Sequence, residues 1–149
     1  MESTRKEESL TIPQKKYDLT IRARSVTLEI IEASEDKVKI KSNCAGEVNG
    51  ILYSGSYNDT AEATMLLDGT LAVTIRYVHM TEKGYVVWGA GTGTRGVLDS
   101  NGIAKLNAEG IMWTSSPGLS QQLNGKRWVS EGDYSLKEES FEVIQQIRS

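Results

Sequence analysis

The sequence has one cysteine, one histidine, one phenylalanine and two prolines. Cys44 alone closes no internal disulfide and builds no cysteine zinc site, and with His79 as the only imidazole no metal is expected. No apolar run approaches the ~20 residues of a membrane-spanning helix. The opening Met1-Glu2-Ser3-Thr4-Arg5-Lys6 lacks the apolar stretch of a secretion signal. Neither sign of charge dominates: the net charge is −3. Residues 1–16 hold four basic and three acidic side chains, so the remainder is mildly acidic, which argues against nucleic acid or an anionic membrane as partner. These absences describe a soluble protein, expected in the cytoplasm.

What the chain does have is turn and strand chemistry. Its 149 residues suit one domain, and 14 glycines favour turns and strands over long helices. Residues 1–16 read as a flexible tail and 17–149 as the single folded domain. In the run 70–80, Leu71, Val73, Ile75, Tyr77 and His79 share one face, and Ala72, Thr74, Arg76, Val78 and Met80 the other. That period of two predicts a long strand, joined through Thr81-Glu82-Lys83-Gly84 to a second run, Tyr85 to Trp88.

Upstream, Leu19, Ile21 and Ala23 alternate, then the phase moves to Val26, Leu28 and Ile30, which predicts a bulge at Arg24-Ser25. Ala33-Ser34-Glu35-Asp36 reads as a hairpin turn. Gly46 opens a further run to Tyr53, and residues 54–59 read as a loop. Asp68-Gly69 predicts a type I′ turn. Only Ser116-Pro117 to Leu123 suggests a helix, with Ser116 as N-cap and Gly125 just past its end. Lys126 to Tyr134 and Phe141 to Ile147 close the sequence as strands. Roughly nine to eleven short strands with turns every 8 to 12 residues mean an all-β fold. Sequential hairpins and the interior glycines Gly50, Gly89, Gly91 and Gly93 favour an antiparallel up-and-down β-barrel over a sandwich.

Several motifs occur in an order that resembles a known family: Asp68-Gly69-Thr70, Arg76-Tyr77, Thr81 to Gly84, Thr114-Ser115-Ser116-Pro117, Leu123-Asn124 and Val129 to Gly132. The family is an uncharacterised group of small bacterial β-barrels, a domain of unknown function similar to the calycin and allene-oxide-cyclase types. The resemblance spans about residues 47–147 and implies a calycin-like barrel. Where the family has Gly-Asp-Trp before the Asp-Gly turn, this chain reads Tyr57-Asn58-Asp59-Thr60. Where the family has an aromatic residue before Leu-Asn, this chain has Gln121-Gln122.

Gly91-Thr92-Gly93-Thr94-Arg95-Gly96 matches a dinucleotide fingerprint letter for letter, but a short strand and turn follow it. Without a helix there is no fan of amides for a pyrophosphate, so no cofactor is expected. The catalytic candidates are His79, Tyr77 and Arg76. His79 offers an imidazole in phase with an apolar face, and Arg76 a carboxylate-binding group on the opposite face, so one strand aims only one of the two inward. Tyr85, Trp88, Trp113 and Trp128 are the candidates to line a flat site for a small apolar or aromatic ligand. The expected function is binding of such a molecule, with any catalysis a cofactor-free isomerisation or cyclisation. The alternative is a filled, non-catalytic structural barrel. Outward Val78, Met80 and Val86 suggest contacts in a homo-oligomer.

Overall fold

The computed structural model describes residues 17–148. The stretch 1–16, read above as a tail, lies outside the described residues. Eight strands run in order around a closed antiparallel barrel. They are β1 (Asp18–Ala33), β2 (Val38–Gly50), β3 (Gly55–Met65), β4 (Leu71–Thr81), β5 (Val86–Arg95), β6 (Ile103–Thr114), β7 (Lys126–Ser135) and β8 (Ser140–Arg148). Closure comes from β1 pairing with β8, Leu19 opposite Gln145 and Ala23 opposite Phe141. The strands are fewer and longer than the turn signals suggest. Residues 38–50 form one continuous strand, and residues 55–59, expected as loop, belong to the strand Gly55–Met65. Gly55, Asn58 and Asp59 are turn formers, but β2 and β4 pair with this segment on both sides and override that local preference. No helix among the described residues is long and apolar enough to cross a membrane.

The bulge falls one residue later than expected. The β1–β2 register shifts between Ser25 and Thr27, and again between Ile30 and Glu32. Beyond Arg24 the first strand parts from β8, so residues 27–33 pair with β2 alone. That edge carries Leu28 and Ile30, 58% and 64% exposed.

The Asp68-Gly69 turn is not type I′. Only Gly69 has positive φ there; its N–H bonds to the Leu66 carbonyl, while the Asp68 carboxylate accepts from the Thr70 N–H and hydroxyl. One left-handed residue suffices for such a turn, and glycine supplies it without steric cost. The helix is also shorter than predicted: α1 covers Ser120–Leu123, and its N-cap position is Leu119 without a side-chain cap. Ser116 does not cap it but lies buried, its N–H bonded to the Thr114 hydroxyl. Gly125 adopts the left-handed conformation just past α1, as expected.

Inward residues alternate with outward ones on every strand, and the barrel interior divides into two halves. At the end near α1, the fully buried Leu19, Val48, Val87, Met112 and Leu123 fill the lumen. At mid-height the rings of Tyr57, Tyr77, His79 and Trp128 pack across it, with Tyr77 edge-on to Trp128 at 5.6 Å. Room for these rings comes from glycines. A Cβ on Gly89 would lie 2.5 Å from the Tyr77 ring and hydroxyl, and one on Gly91 2.6 Å from Trp128 Cζ2. Gly91 faces Gly110 across the β5–β6 ladder, so two successive strands present bare backbone to one indole. Gly91→Ala forces the indole and the adjoining β6 backbone apart. Overpacking of this kind costs about 1–3 kcal/mol, and chemical denaturation of the variant beside the wild type is expected to read a loss of that size.

Candidate functional site

Above the aromatic layer the lumen opens into a cavity of about 200 Å³. Its walls are apolar, built from Ile21, Ile40, Val73, Ile75, Leu106 and Val143, with only the small side chains of Ala61 and Ala63 on one side. Larger hollows of about 510 and 690 Å³ lie on the outer wall between rows of outward side chains. They are shallow and open to solvent; the first gathers Glu109, Glu131, Gln146 and Arg148 on the outer face, and the second lies beside Trp88 and Trp113.

The floor of the cavity is polar. Tyr57 donates to Asp59 Oδ2 at 2.5 Å, and the Cys44 backbone N–H donates to Asp59 Oδ1 at 3.2 Å. Burial pushes the Asp59 carboxyl above the usual carboxylate range, and its bonds to Tyr57 and Cys44 only partly offset this. Burial, then the neighbouring carboxylate, pushes the Cys44 thiol to about 12, so it stays a thiol and is no nucleophile. Gln145 donates from Nε2 to the Tyr77 hydroxyl at 3.1 Å. Gln145 Oε1 and Trp128 Nε1 are buried on the same wall with no hydrogen-bond partner among the described residues. At the mouth stand Arg95, Tyr134 and Glu139.

The candidates named from sequence separate into two groups. The face of β4 that carries Tyr77 and His79 is the inward one. Tyr77 reaches the cavity, whereas His79 sits beneath the floor, fully buried, with its ring 4.7 Å from that of Tyr77. It shares a 2.7 Å hydrogen bond between Nδ1 and the Tyr53 hydroxyl, and burial drives its pKa down to about 3. It is therefore neutral at physiological pH, and its Nε2 is buried with no hydrogen-bond partner among the described residues. Arg76 lies on the outer wall, 3.5 Å from Glu62. Of the aromatic candidates only Trp128 is internal; Tyr85, Trp88 and Trp113 are exposed outside the barrel, the two tryptophans opposite one another on β5 and β6.

Asp59, Tyr57, Gln145 and Arg95 escape the sequence reading. The first two were hidden by the loop assigned to 54–59, yet Tyr57, Asp59, Ala61 and Ala63 alternate with a period of two, and that signal could have found them. Arg95 was visible inside the fingerprint-like motif, where the glycines at 91 and 93 share its phase. No helix follows that motif, and β5 runs through it as a strand.

No protein-family model matches the chain, and no functionally described protein matches it in sequence. Similar folds are found among solved structures. A conserved protein of unknown function from Rhodopseudomonas palustris matches with a TM-score of 0.72 and 18% identity, over 89% of this chain and 96% of that one. An enzyme from Penicillium herquei matches with a TM-score of 0.60 and 20% identity, over 86% and 90%. At these identities the likeness shows the fold alone. The family named from sequence is thus supported as a barrel type and no further.

The buried imidazole gives the fold a pH dependence. The unfolded chain takes up a proton at His79 near pH 6.5, but the folded chain resists it until about pH 3. Between those values the unfolded state holds more protons, so stability falls as the pH falls, by at most ~1.4 kcal/mol per pH unit. His79→Gln is expected to flatten this slope relative to wild type in denaturation series run from pH 7 to 4.

Proposed function

We propose that the lumen binds one small, mostly apolar molecule with a ring, and that the chemistry suited to it is cofactor-free proton transfer leading to isomerisation or cyclisation. One observation carries this reading. Tyr57, Asp59, Trp128 and Gln145 line one apolar cavity, and in its wall Gln145 Oε1 and Trp128 Nε1 are buried without a hydrogen-bond partner among the described residues. Buried polar atoms are nearly always satisfied, and a cavity with an unpaired acceptor, an unpaired donor and a strained carboxyl is matched to a ligand that completes them. A volume of about 200 Å³ falls below the ~300–1,000 Å³ of drug-sized sites, so the ligand is small or only partly inserted.

Within this reading Asp59 takes and returns the proton. Its carboxyl is held above the ordinary range by burial, which brings it nearer to the working pH of a general base or acid. Tyr57 orients it through the 2.5 Å bond and donates into any charge that develops. Tyr77 and Gln145 fix the opposite edge of the ligand. His79 supports Tyr77 from below and takes no part in proton transfer. A barrel of similar fold is an enzyme in Penicillium herquei, so the architecture admits catalysis.

A second reading concerns the outer edge. Residues 27–33 of β1 carry the exposed Leu28, Ile30 and Ile31 and have no strand partner beyond β2, and such edges invite pairing with another chain. We expect a second copy of β1 there, antiparallel to the first.

Both readings are measurable. Titration with indole is expected to shift the methyl resonances of Val73, Ile75 and Val143. Ala61→Trp, which fills the cavity, is expected to abolish those shifts while leaving the remaining spectrum folded. Unchanged methyls in the wild type would remove the lumen as a site. For the edge, sedimentation is expected to show a dimer that Ile30→Lys converts to monomer; an unaltered mass would refute the pairing.

A further inference from the structure

The mouth of the barrel holds an arginine that the fold does not use. Arg95 is the last residue of β5, in phase with Gly89, Gly91 and Gly93, and it lines the cavity. The ion pairs among the described residues join Arg22 to Glu142, Lys37 to Glu32, Arg76 to Glu62 and Lys105 to Asp133. Arg95 is in none of them. Its guanidinium lies over the Tyr134 ring, 5.0 Å from the centroid, and its Nε is buried without a hydrogen-bond partner.

A guanidinium partly withdrawn from water and left without a counter-ion is costly to maintain. It stays charged all the same, because arginine does not deprotonate in proteins. The Tyr134 face holds its plane by cation–π contact and leaves its donor edge free. That edge is a fork matched to a planar oxyanion.

We propose that Arg95 binds an anionic group of the ligand, so that the molecule taken by the lumen is an amphipathic acid. Its ring lies between Val73, Ile75 and Val143, and its carboxylate sits at the mouth. The inference rests on reading the lumen as a ligand site and specifies both the class of ligand and its orientation. The orientation follows from charge. The floor carries the Asp59 carboxyl, which repels a second anion, while the mouth carries the unpaired cation. Glu139 lines the same rim and opposes the ligand carboxylate in part. It is also the one non-glycine residue among those described with positive φ, at 50°. Its backbone is tied down by its carbonyl, which accepts from the Ser25 N–H at 2.9 Å.

The test uses two probes of nearly equal shape, 2-naphthoate and 2-naphthamide, titrated at pH 7 by calorimetry and by the same methyl resonances. Wild type is expected to bind naphthoate about tenfold more tightly than the amide, the scale of a charge-assisted bidentate pair. Arg95→Met is expected to remove that preference while holding the amide within about twofold. Glu139→Gln is expected to tighten naphthoate alone, and raised salt to weaken naphthoate alone.

The failures are distinct. If neither probe shifts the lumen methyls of wild type, the lumen reading falls and this inference with it. If the amide binds and naphthoate binds no better, only the anion site is refuted. It is likewise refuted if Arg95→Met weakens both probes equally, since Arg95 would then be a packing residue. Should Arg95→Met fail to fold, the Glu139→Gln and salt series decide instead, and no selective effect on naphthoate overturns the proposal.

Discussion

The contact of aromatic rings with bare glycine backbone is what the rest of this barrel depends on. An eight-stranded barrel encloses only enough space to be filled by side chains or to hold one small ligand. Here both solutions occur in one lumen, stacked end to end. Tyr77 and Trp128 lie flat against strands whose inward positions are Gly89, Gly91 and Gly110, and so span the interior without pushing the wall outward. Each well-placed aromatic pair contributes about 0.5–1.5 kcal/mol beyond its burial. The linked pairs Trp128–Tyr77, Tyr77–His79 and Tyr57–Phe141 therefore make a stiff partition. Below it the core is packed to the level of α1; above it the walls stand apart.

That partition sets the electrostatics on both sides. His79 is inside the packed half, where nothing nearby compensates an imidazolium, so it is held neutral. Asp59 is at the boundary, where Tyr57 and the Cys44 amide stabilise its ionised form in part but burial still dominates. Arg95 is at the open rim, facing an aromatic ring in place of a carboxylate. The three groups are graded along the barrel axis from neutral, through a penalised acid, to a retained cation. Each departs from what stability alone favours, and departures of this kind collect at sites that are selected for function.

The barrel was legible because alternation is a local property. Leu71 to His79 share a face whatever surrounds them, and the structure turns that face inward. Phase is harder where both faces are apolar. Val86, Val87 and Trp88 run together, as do Met112 and Trp113, so nothing local tells which residue points in, and the two tryptophans expected to line a flat site lie on the outer wall. Residues 55–59 read as a loop for the opposite reason. Gly55, Asn58 and Asp59 are poor strand formers, and their strand exists because two neighbours supply its hydrogen bonds. The polar floor was invisible for the same cause, since Tyr57 and Asp59 become a pair only once that strand is in register. The glycines of β5 were recognised as strand residues suited to curvature. That they also make space for Tyr77 and Trp128 depends on contacts with other strands, which no window of sequence contains.

The two ends of the barrel differ in a way that gives the lumen a direction. Leu123 of α1 is fully buried against Met112, Leu19 and Val87, and Asn124 ties the helix to β6 by accepting from the Thr114 N–H at 2.8 Å. That end is closed by packing, and opening it means exposing several core side chains together. The other end is rimmed by Arg95, Tyr134 and Glu139, with the segment of β1 that pairs with β2 alone beyond the point where it leaves β8. Ser25 marks the divergence: its N–H turns from the β8 ladder to the Glu139 carbonyl. Past the bulge the rest of β1 pairs with β2 alone, so the wall between β1 and β8 ends at this level. With the α1 end packed, a cation at the open rim and a buried acid at the floor polarise the cavity along the barrel axis.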